Sequence, residues 1–397
     1  MVNLLKTSLR RILGTLPSAL VIALFARAPG WAQEATAPPA LTGSARQEAA
    51  LRARVWREPP IPVEQYDFLN GEKAPDAFAL HEVIDCRFVP QKMGGWTPKF
   101  LCELPNGDRL KIKYHTAAEA NPEVAAEIAA SRLLRALGFG ADRMYTVKSV
   151  RCHGCPEKPF SVLKQLFPKD SDVPFNHGYA PDFSVAREFE LVTIERKMEG
   201  KPIPDAPAGF DLTELRSPAY AGPRPPVDAL NLLIAFLYDS DTTRENQELL
   251  CMDSEYQGGP CRKSMVSMGD LGAVLGGGLQ SDGHSLNKLD LEQWKQAPLW
   301  ADEAKCRLEI KGHYRQTFGA PEVSEDGRLF FAGLVRKLSP KQVSDMFRGA
   351  KVHEFSDKGE SEEKIVARWV KAFYKRIELI TKKKKPCPKA ANSGGNA

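Results

Sequence analysis

The stretch from Val227 to Gly278 constrains this chain more than any other. Leu230, Leu233, Ile234 and Leu237 recur at i, i+3, i+4 and i+7, which predicts a helix with a buried face opening near Val227. The polar octet Asp239-Ser-Asp-Thr-Thr-Arg-Glu-Asn246 cannot continue that face, so it reads as a loop. Two short apolar runs, Glu248 to Cys251 and Met265 to Met268, then read as a hairpin, and Gly269-Asp-Leu-Gly-Ala273 follows it. An acid and an amide, Asp241 and Asn246, therefore share one short loop, and a second acid, Asp270, stands just after the hairpin.

Composition speaks to compartment. The chain has 397 residues, 43% of them hydrophobic and 26% charged, enough for one large globular domain or two medium ones. Lys6, Arg10 and Arg11 precede an apolar run from Ile12 to Ala26, and Gly30-Trp-Ala32 places small residues where a signal peptidase reads. Residues 1–32 are accordingly expected to be a cleaved secretory signal. The run contains Pro17 and falls short of the roughly twenty residues a membrane span needs, so no stable span is expected after cleavage. Removal takes four cations and no acid from a formal net charge of +5, leaving +1, and no nucleic-acid partner is expected. Eight cysteines, an even number, suit an oxidising extracytoplasmic compartment, periplasmic or secreted. Cys86 and Cys102 flank one predicted hairpin, Cys251 and Cys261 flank another, and Cys152 and Cys155 are near enough to join. Those three pairings leave Cys306 with Cys387.

Residues 33–75, rich in Ala, Pro, Glu and Arg, read as a leader and arm with a short helical pattern from Arg46 to Trp56 and a break at Pro59-Pro-Ile-Pro62. Strands are predicted at His81 to Val89, Lys99 to Leu104 and Arg109 to Tyr114, the last two joined by the tight Asn106-Gly107 turn. Alternation puts Leu110, Ile112 and Tyr114 on one face of the third strand and Lys111 and Lys113 on the other. A helix from Glu123 to Leu137 follows, capped by Asn121, opened by Pro122 and stopped by Gly138-Phe-Gly140. Met144 to Val150 and Phe189 to Glu195 read as further strands, separated by a Pro-rich polar insertion from Cys152 to Asp182. Three strands, a helix and two more strands form a unit over 76–200. Residues 201–397, helical beyond Gly278 and ending in the basic run Lys382 to Lys385, form a second. The predicted later helices are Leu289 to Gln296, Pro340 to Arg348 after the cap Ser339, and Glu362 to Thr381.

Phosphoryl transfer needs a lysine on the phosphates, a carboxylate holding it, a metal-binding acid and amide, and an acid near the attacking oxygen. The chain offers these in order. Lys113 is preferred over Lys111 as the lysine, and Glu127, between Val124 and Ile128 near the inward stripe, is preferred over Glu123, whose place in the first turn the helix dipole accounts for. Asp241 is the catalytic acid or base, and Asn246 and Asp270 the metal pair.

From Asn106 to Gly278 the chain resembles the atypical protein-kinase-like superfamily, which includes HipA toxin kinases, phosphatidylinositol kinases, spore-coat kinases and kinases of the eukaryotic secretory pathway. It looks most similar to exported bacterial proteins of unassigned activity that share Glu127-Ile-Ala-Ala-Ser-Arg-Leu-Leu134, Asn246-Gln247 and Asp270-Leu-Gly-Ala273. The resemblance implies an α+β, bilobal protein-kinase-like fold, with a small antiparallel β lobe carrying one helix and a larger, mainly helical lobe. It implies ATP or another nucleotide with Mg²⁺ or Mn²⁺, and a hydroxyl-bearing substrate. Lys113, Gly94, Gly95 and Glu195 are then the expected nucleotide-binding residues, Glu127 the partner of Lys113, Asp241 the catalytic group, and Asn246 and Asp270 the metal ligands.

The chain departs from a kinase pattern in having only Gly94-Gly95 for a glycine-rich loop, Asp239-Ser-Asp241 for His-Arg-Asp, and Thr243 where a lysine is usual. These departures keep open an inactive kinase-like binding or scaffold module. A second alternative, a redox protein, rests on Cys152-His-Gly-Cys155, although a structural disulfide accounts for that spacing. The seven histidines include no H-E-x-x-H, and there is no G-x-S-x-G, so metalloprotease and serine-hydrolase chemistry find no motif. Gly276-Gly-Gly278 reads as a turn and Lys382 to Lys385 as a solvated helix end.

Overall fold

The structure, a computed structural model, describes residues 43–95, 97–166, 179–204, 209–276, 289–310, 320–356 and 359–389. The expected signal segment, the middle of the insertion, and Gly277 and Gly278 lie outside them. After a short helix, α1 (Gly43–Leu51), come β1 (Val83–Val89), β2 (Lys99–Glu103) and β3 (Arg109–His115), the three consecutive antiparallel strands expected. The Asn106-Gly107 turn sets their register, with Lys99 opposite Lys113. Gly107 takes the turn's left-handed conformation at φ 83°. α2 (Glu123–Ala136) follows, then β4 (Gly140–Ala141).

Each of the two longer runs read as one strand is in fact two. Met144 to Val150 divides into β5 (Arg143–Thr146) and β6 (Ser149–His153), and the run around Phe189 into β7 (Ala186–Phe189) and β8 (Leu191–Arg196). Together these strands form a seven-stranded sheet in the order β5-β8-β3-β2-β1-β6-β7. β5 and β6 lie five places apart in that order, roughly 24 Å if the sheet were flat. The chain from Thr146 to Ser149 spans at most about 11 Å. The sheet must therefore curl, and the rings inside it show that it does: Tyr114 on β3 packs against Phe189 on β7 with centroids 5.0 Å apart, and against Phe100 at 5.3 Å. Part of the insertion read as polar loop belongs to this core. Within it, α3 (Pro159–Leu166) buries Phe160 and Leu163, and Phe160 N donates to Tyr114 Oη at 3.0 Å.

The second layer is mainly helical. β9 (Lys201–Pro202) leads to α4 (Arg224–Leu237), the helix read from the leucine spacing, and to the hairpin β10 (Gln247–Cys251) and β11 (Ser264–Met268). Then come α5 (Leu291–Gln296), the short hairpin β12 (Trp300–Asp302) and β13 (Arg307–Leu308), α6 (Glu325–Val335), α7 (Pro340–Gly349) and α8 (Glu362–Thr381). Ser339 caps α7 with Gln342 in a reciprocal capping box, as its position before Pro340 suggested. The fold is thus α+β and bilobal, with a small, largely antiparallel β lobe carrying α2 and a larger helical lobe.

α2 joins the two layers. All fourteen of its residues are buried, five of them alanines that let neighbours approach closely. Arg132 would be an unpaired cation there, but its guanidinium donates to the carbonyls of Phe68 at 3.0 Å and Leu69 at 2.8 Å. The N-terminal arm is thereby strapped across α2. Arg54 N donates to Ser264 O and its carbonyl accepts from Val266 N, both at 2.9 Å, so the arm also adds to the edge of β11. Four disulfides close the chain as read from the cysteine positions: Cys86–Cys102, Cys152–Cys155, Cys251–Cys261 and Cys306–Cys387. Cys152 and Cys155 are both buried. No helix among the described residues is long and apolar enough to cross a membrane.

Candidate active site

The alternation of β3 turns Tyr114 into the curled sheet and Lys113 out of it, beneath α2. Asn121 Oδ1 accepts from Glu123 N at 3.2 Å and fixes where that helix begins, which places Glu127 one turn in, over Lys113. The ammonium donates to Glu127 Oε1 at 2.8 Å and to Asp270 Oδ1 at 2.6 Å, and Lys113 and Glu127 are both wholly buried. Residues 113, 127 and 270, far apart in sequence and from three different elements, thus converge on one nitrogen. Burial pushes the Lys113 ammonium down, but the carboxylates of Glu127, Asp270, Glu123 and Glu195 more than offset it, so the group stays firmly protonated. The Lys113 charge holds Asp270 well below the usual carboxylate range. Burial pushes Glu127 up to about 7 against the pull of Lys113, and the nearby charges of Asp270 and Glu195 add to the rise.

Asp270 is carried by a turn with unusual backbone. Its φ is 46°, left-handed for a residue with a side chain, directly after Gly269 N donates to Asn246 O at 2.6 Å. Gly272 follows for a steric reason: a Cβ there would lie 2.8 Å from Glu123 Cβ. On the other side, Tyr238 ends α4 in a left-handed conformation at φ 61°. Ser240 N donates to Ala273 O and Leu275 N to Leu237 O, so the loop after α4 and the turn after β11 run side by side. Within the loop, Asp239 Oδ1 accepts from Asp241 N at 3.0 Å, and Asn246 Nδ2 donates to Asp241 O at 2.8 Å. Asp239 is buried, and this burial, reinforced by the charges of Asp241 and Asp270, pushes its carboxyl up to about 7.

Gly94 and Gly95 lie in the β1–β2 loop. Gly95 is left-handed at φ 73°, and its carbonyl accepts from Lys164 Nζ on α3 at 2.6 Å. Glu195, expected to bind the nucleotide, is otherwise engaged. Its carboxylate pairs with Lys111 at 2.5 Å and Lys197 at 3.2 Å, and its backbone is paired on both sides in β8. Both carboxylate oxygens of Glu195 thus face lysines. Burial pushes the Glu195 carboxyl up, and the charges of Lys111, Lys197 and Lys113 overcome this and hold it at about 2. With the folded value depressed, its stabilisation is present above the usual carboxylate range and is lost as pH falls from about 4.5 towards 2. Glu195→Gln is expected to cost about 1–2 kcal/mol at pH 7. That difference should shrink steadily from pH 5 to pH 3 in urea unfolding; a difference that does not change with pH would show that the ion pairs are not its source.

Several residues here were not singled out from sequence. Lys99, facing Lys113 across β2 and β3, could have been found from the Asn106-Gly107 register. Glu123, set aside above as a first-turn acid, is buried against the Asp270-Leu-Gly272 turn, beyond any dipole role. Arg376 donates to the carbonyls of Ala235 and Phe236, the last turn of α4 before the Asp239–Asn246 loop. Its signal was a place on the apolar stripe of α8, seven residues after Trp369 and three after Phe373.

A curled β lobe with a strand lysine bound to a helix glutamate, and a helical lobe with an Asp–Asn loop and a returning acid, make up a bilobal protein-kinase-like fold. No family model matches the sequence, and no curated protein does. Solved structures similar to it include a proinflammatory kinase of Helicobacter pylori, CtkA, at TM-score 0.38 and 10% identity over 76% of this chain and 98% of that one. A Golgi casein kinase with Mn/ADP bound is similar at TM-score 0.31 and 14% identity over 76% of this chain and 74% of that one.

Proposed function

We propose that the chain binds ATP or another nucleoside triphosphate together with Mg²⁺ or Mn²⁺ in the cleft between its lobes, and transfers the terminal phosphoryl group to a hydroxyl of a protein or small molecule. The observation that carries this reading is the buried Lys113 ammonium held between Glu127 and Asp270. A lysine so placed is a fixed positive charge with its third proton left for a phosphate oxygen. Gly94 and Gly95 let backbone approach the phosphates without a Cβ in the way. Asp241, anchored at both its N–H and its carbonyl, presents its carboxylate to the attacking hydroxyl as general base.

The residues present fit a magnesium-type cation. Among the described residues no three His, Cys, Asp or Glu side chains gather as an all-protein metal cage, and Mg²⁺ sites do not need one. Asp270 turns Oδ1 to Lys113 and keeps Oδ2 as a second acceptor. Asn246, its Nδ2 committed to Asp241 O, keeps its amide oxygen. These two hard oxygens would hold the ion, which when bound supplies charge neutralisation to the phosphates. Four disulfides support an extracytoplasmic setting, where such bonds persist.

The reading is tested by phosphate release or transfer from γ-labelled ATP, using mature, disulfide-intact protein. Asp241→Asn is expected to lower turnover by about 10²-fold or more while ADP affinity is unchanged. Equal turnover in both proteins would remove Asp241 from the chemistry.

A further inference from the structure

Lys99 is buried, 5% exposed, and sits directly opposite Lys113 in the β2–β3 register. Like charges facing each other across a strand pair are destabilising, and a buried charge without a partner more so. Lys113 has two carboxylates. Among the described residues Lys99 has neither a hydrogen-bond nor an ion-pair partner; Asp270 and Glu123 act on it only from a distance. Its ammonium is aimed at the Gly94-Gly95 loop: a Cβ on Gly95 would lie 2.8 Å from Lys99 Nζ, while the same position on Gly94 meets nothing within 4 Å. Above the ammonium, Lys164 holds the loop by the Gly95 carbonyl. A lysine buried along its length, left without an ion-pair partner and ending against Gly95 beside a second lysine, is arranged for an anion that arrives from outside.

We propose that Lys99 is a phosphate clamp: its ammonium binds a phosphate oxygen of the nucleotide on the Gly94-Gly95 side of Lys113. The short loop offers few backbone N–H groups to cradle phosphates, and Lys99 supplies from a side chain what a longer glycine-rich loop supplies from its backbone. The inference rests on the proposed reading of this cleft as a phosphate site. It has a consequence that a structural lysine would not have, since the ligand-free protein should be more stable without it.

The test is calorimetric titration of the full mature protein and its Lys99→Met variant with ADP, adenosine and inorganic pyrophosphate, alongside thermal melting. Lys99→Met is expected to weaken ADP and pyrophosphate roughly 10- to 100-fold and leave adenosine unchanged. It should also raise the melting temperature of the ligand-free protein by about 2–4 °C, and Lys99→Arg should restore phosphate binding. If Lys99→Met binds ADP and pyrophosphate as tightly as the unaltered protein, the clamp is overturned. Should the unaltered protein bind pyrophosphate through Lys99 but no nucleotide, the clamp stands and the nucleotide reading fails. Binding of neither overturns both.

Discussion

Lys113→Met is expected to destabilise the folded chain by about 3–5 kcal/mol and to abolish nucleotide binding. Removing the ammonium leaves Glu127 wholly buried with its one described ion-pair partner gone, and Glu127 must then take up a proton or unfold the helix around it. The cost should therefore be larger at pH 8 than at pH 6, because burial already pushes this carboxyl up to about 7 with the lysine present, and losing the lysine pushes it further. The double variant Lys113→Met, Glu127→Leu is expected to regain most of the stability, since two apolar side chains replace a buried ion pair, and none of the nucleotide binding. Urea unfolding of the two single variants and the double variant measures the coupling. A double variant no more stable than Lys113→Met would mean that the pair is not an isolated buried unit.

The second large effect lies in the core of the helical lobe. Arg376→Ala is expected to cost about 3–5 kcal/mol, because one guanidinium serves four carbonyls inside the core, those of Ala235, Phe236, Trp294 and Ala297. Trp294 Nε1 would still reach Phe236 O, so the last turn of α4 would be loosened and not wholly freed. That turn leads straight into Tyr238 and the Asp239–Asn246 loop, so the surviving folded protein should lose more in kcat than in KM. Arg376→Lys should not rescue either property, because a single ammonium cannot reproduce the guanidinium's fork. A fall in melting temperature with kcat intact would confine Arg376 to stability.

Much of this was legible because local rules and tertiary structure agree along the relevant segments. Alternation in β3 puts Lys111 and Lys113 on one face without choosing between them, and the marked start of α2 places Glu127 one turn in. The buried-face spacing before a polar octet was enough to place Asp241, Asn246 and Asp270 in one region. The errors have a common physical origin in long-range pairing. Nothing local at Val147-Lys148 marks where the chain leaves the β5 edge of the sheet to pair with β1 on its far side. Glu195 carries no sign that Lys111 and Lys197 will claim its carboxylate, since one is a cross-strand neighbour more than eighty residues away. Arg376 looks like one more cation on a helix rich in them until α4 and α5 are packed against it. The polar composition of the insertion hid α3, whose Phe160 and Leu163 bury only because the curled sheet is open to them.

Titration of mature, disulfide-intact protein with ADP, in the presence and absence of Mg²⁺ or Mn²⁺, tests the central assignment of a nucleotide and metal site between the lobes. Binding of one nucleotide per chain is expected, tightened by the metal in the unaltered protein and not in Asp270→Asn, which should still bind metal-free ADP through Lys113. A protein that melts cooperatively and yet shows neither heat of binding nor a thermal shift with any nucleotide, with metal or without, would contradict it.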